Sequence, residues 1–247
     1  MLGHNKDTGS PGGAARRLSA CRHPHCTGCD VRHAAICAAV GPELLPRLAS
    51  IAVERSLAPR QLLFDEGDRA EHVFVVTGGM LKLYKALVDG RRQIVGFMVP
   101  SDFLGLAFGH LYIYSAETIT IVTVCSIRRS QFLDFLDECP ALEKEVLLRT
   151  CTELAAAQEQ MLLLGRKSAL ERVASFILSM ASRQRLHAGG TLELPMSRSD
   201  IADYLGLTIE TVSRALGVMR RRALIAPKGP HRIAIPLPGQ LEHFAGV

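Results

Sequence analysis

Long apolar runs are missing from this chain of 247 residues. Stretches such as Ile201–Leu207 are broken by charge within a few residues, and the opening MLGHNKDTGSPGGAARR carries no apolar core of a signal peptide. Neither a membrane span nor an export signal is expected. Residues 1 to 19, rich in Gly, Ser, Pro, Arg and Ala, are expected to form a disordered leader. Catalytic signatures are missing too: there is no Walker loop, no H-E-x-x-H and no nucleophile elbow, and no acid–base pair stands out, so an enzyme with a nucleic-acid-binding tail is disfavoured. Internal repeats are absent. Cysteine is sparse, and seven thiols, an odd number unevenly placed, do not resemble the even framework of a small secreted domain. A reducing cytoplasm is the expected compartment, where clustered thiols bind metal or sense redox state.

What is present is a hydrophobic content of 48%, enough for real cores, and a net charge of +5 that is concentrated at one end. Residues 1–165 carry 17 Lys and Arg against 18 Asp and Glu, whereas residues 166–247 carry 12 against 6. A polyanion partner for the C-terminal third follows from that asymmetry.

From about Leu57 to Arg129, short runs such as HVFVV, MLKLYKALV, QIVGFMV and TITIVTVCSI are rich in β-branched residues and are punctuated by EGD, TGG and DGRR. They predict an antiparallel β-roll of about eight strands. After Pro140 the period changes. Leu147, Cys151, Leu154, Ala157, Met161 and Leu164 recur every three or four residues, making a narrow apolar stripe on one long helix. The stripe suits pairing with a second copy, with Leu154, Ala157, Met161 and Leu164 as the seam; packing on the chain's own barrel is the alternative. Gly165 is expected to interrupt this helix, and S168-A-L-E171 reads as a capping box opening another that runs to about Arg183.

SRSDIADYLGLTIETVSRALGVMRRRALI reads as a helix-turn-helix. Ser197 and Asp200 cap a first helix, Ala202 is small where the second helix must approach, and Gly206 occupies a turn needing positive φ. Leu207, Val212 and Ala215 complete the shared core, and Thr208 caps the second helix, which runs to about Arg222. A purely structural helical hairpin is the alternative. Glu210, Thr211, Ser213 and Arg214 are then exposed near the N-terminal end, where a recognition helix meets base edges. Arginine binds guanine O6 and N7, glutamate accepts from cytosine N4, and serine contacts either. Arg220, Arg221 and Arg222, with Lys228 and Arg232 of the hairpin that follows, suit phosphate contacts. From Ser197 to Arg232 there are seven basic and three acidic residues.

The thiols concentrate in HPHCTGCDVRHAAIC, His23 to Cys37, which places three thiols and three imidazoles within fifteen residues. Cys26, Cys29, Cys37 and one of His23, His25 or His33 match a tetrahedral zinc site, and a metal-free thiol sensor is a further alternative. Cys139 and Cys151 fall outside the cluster and are expected to pack.

A β-roll (the jelly roll of cyclic-nucleotide-binding proteins), a long dimerisation helix and a C-terminal winged helix-turn-helix, an α+β chain in that order, resemble the CRP/FNR family of bacterial transcription regulators over about residues 20 to 245. The corresponding domains are 20–139, the cysteine cluster with the β-roll; 140–166, the dimerisation helix; and 167–247, the DNA-binding domain. The family's cyclic AMP branch has an Arg-containing phosphate cassette, which PSDFLGLAFGHLYIYSAETIT lacks, so no cyclic nucleotide is expected. I209-E-T-V-S-R214 looks like the FNR form, which implies Glu210, Ser213 and Arg214 as base readers of a TTGAT-N4-ATCAA operator, one half-site per subunit of a homodimer, with RNA polymerase as a further partner. The C-x2-C-x7-C spacing of Cys26, Cys29 and Cys37 is similar to that of FNR proteins from nitrogen-fixing and photosynthetic bacteria, and Cys125 occupies the position of the fourth ligand. The resemblance therefore implies an oxygen-sensing 4Fe-4S cluster and control of anaerobic or microaerobic genes. Cys21 would complete a wholly local set instead. Cys125 is preferred, because a cluster bridging leader and β-roll couples its loss to domain packing.

Overall fold

The computed structural model describes residues 26, 28–106, 109–186 and 190–246. The expected leader, together with Cys21, His23 and His25, lies outside the described residues.

Turns from residue 28 lead into a short 3-10 helix, Ile36–Ala39, and then α1 (Leu45–Ile51). Eight strands follow: β1 (Ala52–Leu57), β2 (Leu62–Phe64), β3 (His72–Gly78), β4 (Leu81–Ala86), β5 (Arg92–Met98), β6 (Phe103–Leu104), β7 (Ser115–Thr118) and β8 (Val122–Arg128). They form two antiparallel four-stranded sheets, ordered β1-β8-β3-β6 and β2-β7-β4-β5, which is the expected roll. Between the sheets lie Leu57, Phe64, Phe74, Val76, Leu81, Leu83, Val122 and Val124.

The two-residue period of a strand decides what each sheet shows outside. On β8, Val122 and Val124 enter the roll, so Cys125 and Ile127 belong to a second cluster with Val73, Val75, Ile36, Leu48 and Phe132. On β4, Leu81 and Leu83 point inward, and Lys82 lies buried beneath the C-terminal helices.

Two helices stand between the roll and the DNA-binding region. α2 (Arg129–Glu138) buries Phe132 and Phe135, and α3 (Pro140–Arg166) begins on a proline whose missing N–H costs nothing at a first turn. Its 27 residues make a rod of about 40 Å. Only Leu142 and Val146 of α3 are buried. The helix passes through Gly165 and ends one residue later, so the expected interruption there is corrected: the turn comes at Lys167, where the capping box of α4 takes over.

The C-terminal region contains α4 (Ala169–Arg183), β9 (Thr191–Glu193), α5 (Arg198–Leu205), α6 (Ile209–Arg221), β10 (Ala226–Gly229), β11 (Arg232–Ala234) and α7 (Pro238–Ala245). Strands pair in the order β10-β11-β9, forming the wing. This region does not stand apart from the roll. Met80, Ile94, Phe97 and Val99 join Phe176, Ile177, Leu205 and Met219 in one core, where Phe97, Phe176 and Tyr204 meet as a triangle with centroids 5.4 to 5.8 Å apart.

Candidate nucleic-acid interface and cysteine site

The helix-turn-helix forms as its cap residues require. Ser197 accepts from the Asp200 backbone N–H at 3.0 Å, while the Asp200 carboxylate accepts from the Ser197 N–H at 3.0 Å. Gly206 ends α5 at φ 61°, a left-handed position that other residues occupy only with strain, and Thr208 Oγ1 caps α6 through the Thr211 N–H at 3.2 Å. Val212, Ala215 and Met219 face the core, so the 3.6-residue period leaves Glu210, Ser213 and Arg214 exposed on one side. Glu210 is held ionised: its own backbone N–H and the Thr208 hydroxyl lower its pKa, leaving it acceptor-only.

Beside α6 a groove of about 490 Å³ runs to the wing, lined by Arg198, Ser213, Arg220 and His231. Arg220, Arg221, Arg222 and Lys228 are exposed. Arg222 also lies over the Phe244 ring at 5.3 Å, which orients it. Arg232 is different. Its exposed guanidinium donates to Glu193 Oε1 at 2.6 and 3.0 Å, a surface pair between β11 and β9 that still leaves a phosphate contact open to it.

The cysteine segment packs on the outer face of the β1-β8-β3 sheet, with Cys26, Cys37 and Cys125 against the core that holds Ile36, Val75 and Phe132. Cys125 faces Glu54 on one neighbouring strand and Val75 on the other. Burial first, and then the neighbouring cysteines, which would be anions close by, push the Cys37 and Cys125 thiols up to about 12. Cys26 rises for the same reasons, with Arg32 opposing. The four predicted cysteines therefore share one electrostatic neighbourhood. As they stand, no three His, Cys, Asp or Glu side chains among the described residues converge closely enough to hold a metal ion. The donor set still fits a 4Fe-4S cluster in kind and number. It offers four soft thiols, three of them half-buried against apolar packing, whose thiolates burial alone disfavours and a cationic centre would favour. His33 is exposed, Cys139 is buried in the adjoining core, and Cys151 is exposed on α3.

The seam of α3 is open in the single chain. Leu154 and Met161 are 61% and 66% exposed, Leu147, Leu148 and Leu162 flank them, and Ala157 is exposed as well. Leu164 departs from the expected set. It is half-buried, and its Cδ2 reaches the Gly206 turn, near enough that an added Cβ there would lie 3.7 Å away. That residue joins α3 to the helix-turn-helix instead of lying wholly on the seam.

Sequence reasoning missed the charge cluster between roll and helix-turn-helix. Lys82 and Asp200 are 5% and 6% exposed. Lys82 Nζ donates to Asp200 Oδ1 at 2.9 Å and lies 3.2 Å from Glu117 Oε1, while Arg92 reaches Asp200 at 3.1 Å and Asp203 at 3.0 Å. Burial alone would raise the Asp200 pKa, but the Ser197 and Lys82 hydrogen bonds outweigh it and hold the carboxyl below its ordinary value. Alternation along β4 would have shown that Lys82 shares a face with Tyr84; nothing local shows that α5 covers that face.

Comparison with known proteins accords with this architecture. Residues 54–139 match the family model described as cyclic nucleotide-binding domain, and residues 171–244 match the Crp-like helix-turn-helix domain. The transcriptional activatory protein AadR of Rhodopseudomonas palustris is 45% identical over 201 residues, covering 81% of this chain and 84% of that protein. The transcriptional activator protein FnrL of Cereibacter sphaeroides is 37% identical, covering 90% of this chain and 92% of its own. Among solved structures, FixK2 from Bradyrhizobium japonicum superposes with a TM-score of 0.74 at 39% identity, over 78% of this chain and 97% of that one. These relatives are transcription regulators and not enzymes, and the chain belongs with them to the CRP/FNR family of transcriptional activators.

Proposed function

We propose that this CRP/FNR regulator is an oxygen-responsive activator of anaerobic or microaerobic genes. It binds TTGAT-N4-ATCAA palindromes as a homodimer while a 4Fe-4S cluster is held by Cys26, Cys29, Cys37 and Cys125. The observation that carries the reading is the placement of Cys125. Strand alternation turns it out of the roll and under the segment bearing the other three thiols, so one set of ligands joins the leader to the sheet. When bound, such a cluster supplies an oxygen-labile centre. The chain's own residues do the rest: the cysteine segment docks against the first turns of α3, the open stripe on α3 pairs with a second copy, and Glu210, Ser213 and Arg214 enter the major groove.

Filling of the roll interior supports a regulator without a cyclic nucleotide. Phe64 stacks on Tyr112 with centroids 3.8 Å apart and on Phe74 at 5.7 Å, and Ser115 is engaged by Asp65 and by the Glu66 N–H. Contact with RNA polymerase is part of the same reading, as activation requires it. No helix among the described residues is long and apolar enough to cross a membrane, in keeping with a cytoplasmic regulator.

The test compares Cys21→Ser with Cys125→Ser after anaerobic reconstitution, measuring iron and sulfide. The first variant should keep full content and the second lose it. The reverse result would make the site local to residues 21 to 37, and equal zinc content in both with no iron would favour the structural-metal alternative.

A further inference from the structure

Among the described residues, Arg149 is the one side chain of α3 that hydrogen-bonds both to the cysteine segment and to the β-roll. Its Nη2 donates to the Ala34 carbonyl at 2.6 Å, between Cys29 and Cys37 in the chain, and its Nη1 reaches the Ser101 carbonyl at 3.4 Å. Glu145, one turn earlier, accepts from its Nε at 2.9 Å and so fixes the plane of the fork.

The acceptor side is equally constrained. Ser101 sits at φ 84°, a left-handed conformation costly for a residue with a Cβ, and its N–H donates to Val76 at 2.8 Å. The next residue, Asp102, accepts from the Val99 N–H at 2.7 Å and from Arg183 at 2.5 Å. Arg183 closes α4, and its other nitrogen donates to the Phe97 carbonyl at 2.7 Å. Two guanidinium groups thus grip the turn 99–102: Arg149 from α3 and the cysteine segment, Arg183 from the DNA-binding region. A cleft of about 420 Å³ lined by Ala34, Ser101 and Arg183 lies along this junction.

We propose that Arg149 is a positioning residue that couples docking of the cysteine segment to the state of α3, and through the turn 99–102 to α4, so that the thiols and the dimer helix cannot change independently. The physical basis is a geometry with few alternatives. Ala34 O and Ser101 O are presented by different elements, and a planar fork held by Glu145 satisfies both only when segment, helix and turn are all in place. If the segment leaves, Ala34 O is withdrawn and the guanidinium loses one of the partners that fix its orientation between α3 and the roll. By linkage, anything that stabilises α3 in that register, self-association included, must hold the segment down to the same degree.

This inference rests on the reading of α3 as the dimer helix and not on the cluster, so its test uses the full chain freed of metal by chelator and kept reduced. The probe is N-ethylmaleimide, and the readout is the modification rate of Cys37, followed by mass spectrometry across protein concentrations spanning the monomer–dimer transition seen in sedimentation. In the wild-type chain Cys37 should react about tenfold more slowly in the dimer, within the usual range of coupling between sites. Arg149→Met should react at one fast rate at every concentration, and Arg149→Lys should restore part of the protection. Should Arg149→Met fail to fold, Glu145→Gln, which keeps the guanidinium but frees its Nε, should give an intermediate dependence. A residue that merely braces the fold would lower the unfolding midpoint and leave the concentration dependence intact. That result, or a wild-type rate independent of concentration, overturns the proposal. Absence of iron from the reconstituted chain would defeat the cluster reading without touching this measurement.

Discussion

Replacing Lys82 by Met removes the ammonium that ties the roll to α5 while keeping an alkyl stem of similar length in the same packing. Breaking a buried ion pair by deleting one partner costs about 3 to 5 kcal/mol, because the remaining charge is left uncompensated. Here the remaining charge is partly covered: Arg92 still lies 3.1 Å from Asp200 Oδ1, and Ser197 still donates to Oδ2 through its N–H at 3.0 Å and its hydroxyl at 2.6 Å. Glu117, on the other side, regains some water. The expected loss is therefore below the full range, about 2 to 3 kcal/mol, or a fall in Tm of about 4 to 12 °C for a chain of this size. Urea unfolding of Lys82→Met, Asp200→Asn and the double variant measures it. The two single losses should not add, and an interaction of about 1 to 2 kcal/mol should remain. A Lys82→Met chain within about 0.5 kcal/mol of wild type, with additive behaviour in the double variant, would mean that α5 does not rest on the roll in solution.

The same carboxylate gives a pH dependence. With its folded pKa held below the ordinary 3.8, Asp200 contributes stability that is present above that value and lost as pH falls through the folded pKa, so the gap between wild type and Asp200→Asn should narrow from pH 5 to pH 3 and a constant gap would refute the assignment. Arg214→Ala should cost about 1 to 3 kcal/mol on the TTGAT half-site and much less on random duplex in fluorescence anisotropy; equal losses on both would remove its base-reading role. Met161→Asp places a carboxylate in the seam and should shift sedimentation toward monomer, whereas an unchanged dimer would place the seam elsewhere.

Elements whose ends carry local chemistry were legible in the sequence. Pro140 starts α3, Ser168 and Glu171 start α4, and Ser197, Asp200, Gly206 and Thr208 delimit the helix-turn-helix, because caps and turns act within four residues. Short helices escaped the reading. α1 and α7 have seven and eight residues, too few for a period to emerge, and α2, directly after a strand, falls in the gap between the expected strand runs and the helix after Pro140. The roll also begins at Ala52, ahead of the expected Leu57, since the exposed Glu54, Arg55 and Ser56 of β1 hide its strand character. Of the candidate site residues, the exposure of Glu210, Ser213 and Arg214 follows from helical periodicity alone. Lys82, Arg149 and Arg183 do not, because their partners Asp200, Ala34 and Asp102 lie 118, 115 and 81 residues away, and a lone cation on a strand or helix looks like a solvated surface.

The central claim is that operator binding depends on oxygen through the thiols of the roll and its leader. It is tested most directly by titrating the anaerobically reconstituted full chain onto a TTGAT-N4-ATCAA duplex at fixed salt, then exposing the same sample to air and titrating again. The account predicts tight, sequence-selective binding before exposure and a loss of at least about tenfold in affinity after it, comparable to other couplings between sites. Equal affinity before and after air, with the same preference for the palindrome, would leave a CRP/FNR activator of DNA and contradict its role as an oxygen sensor.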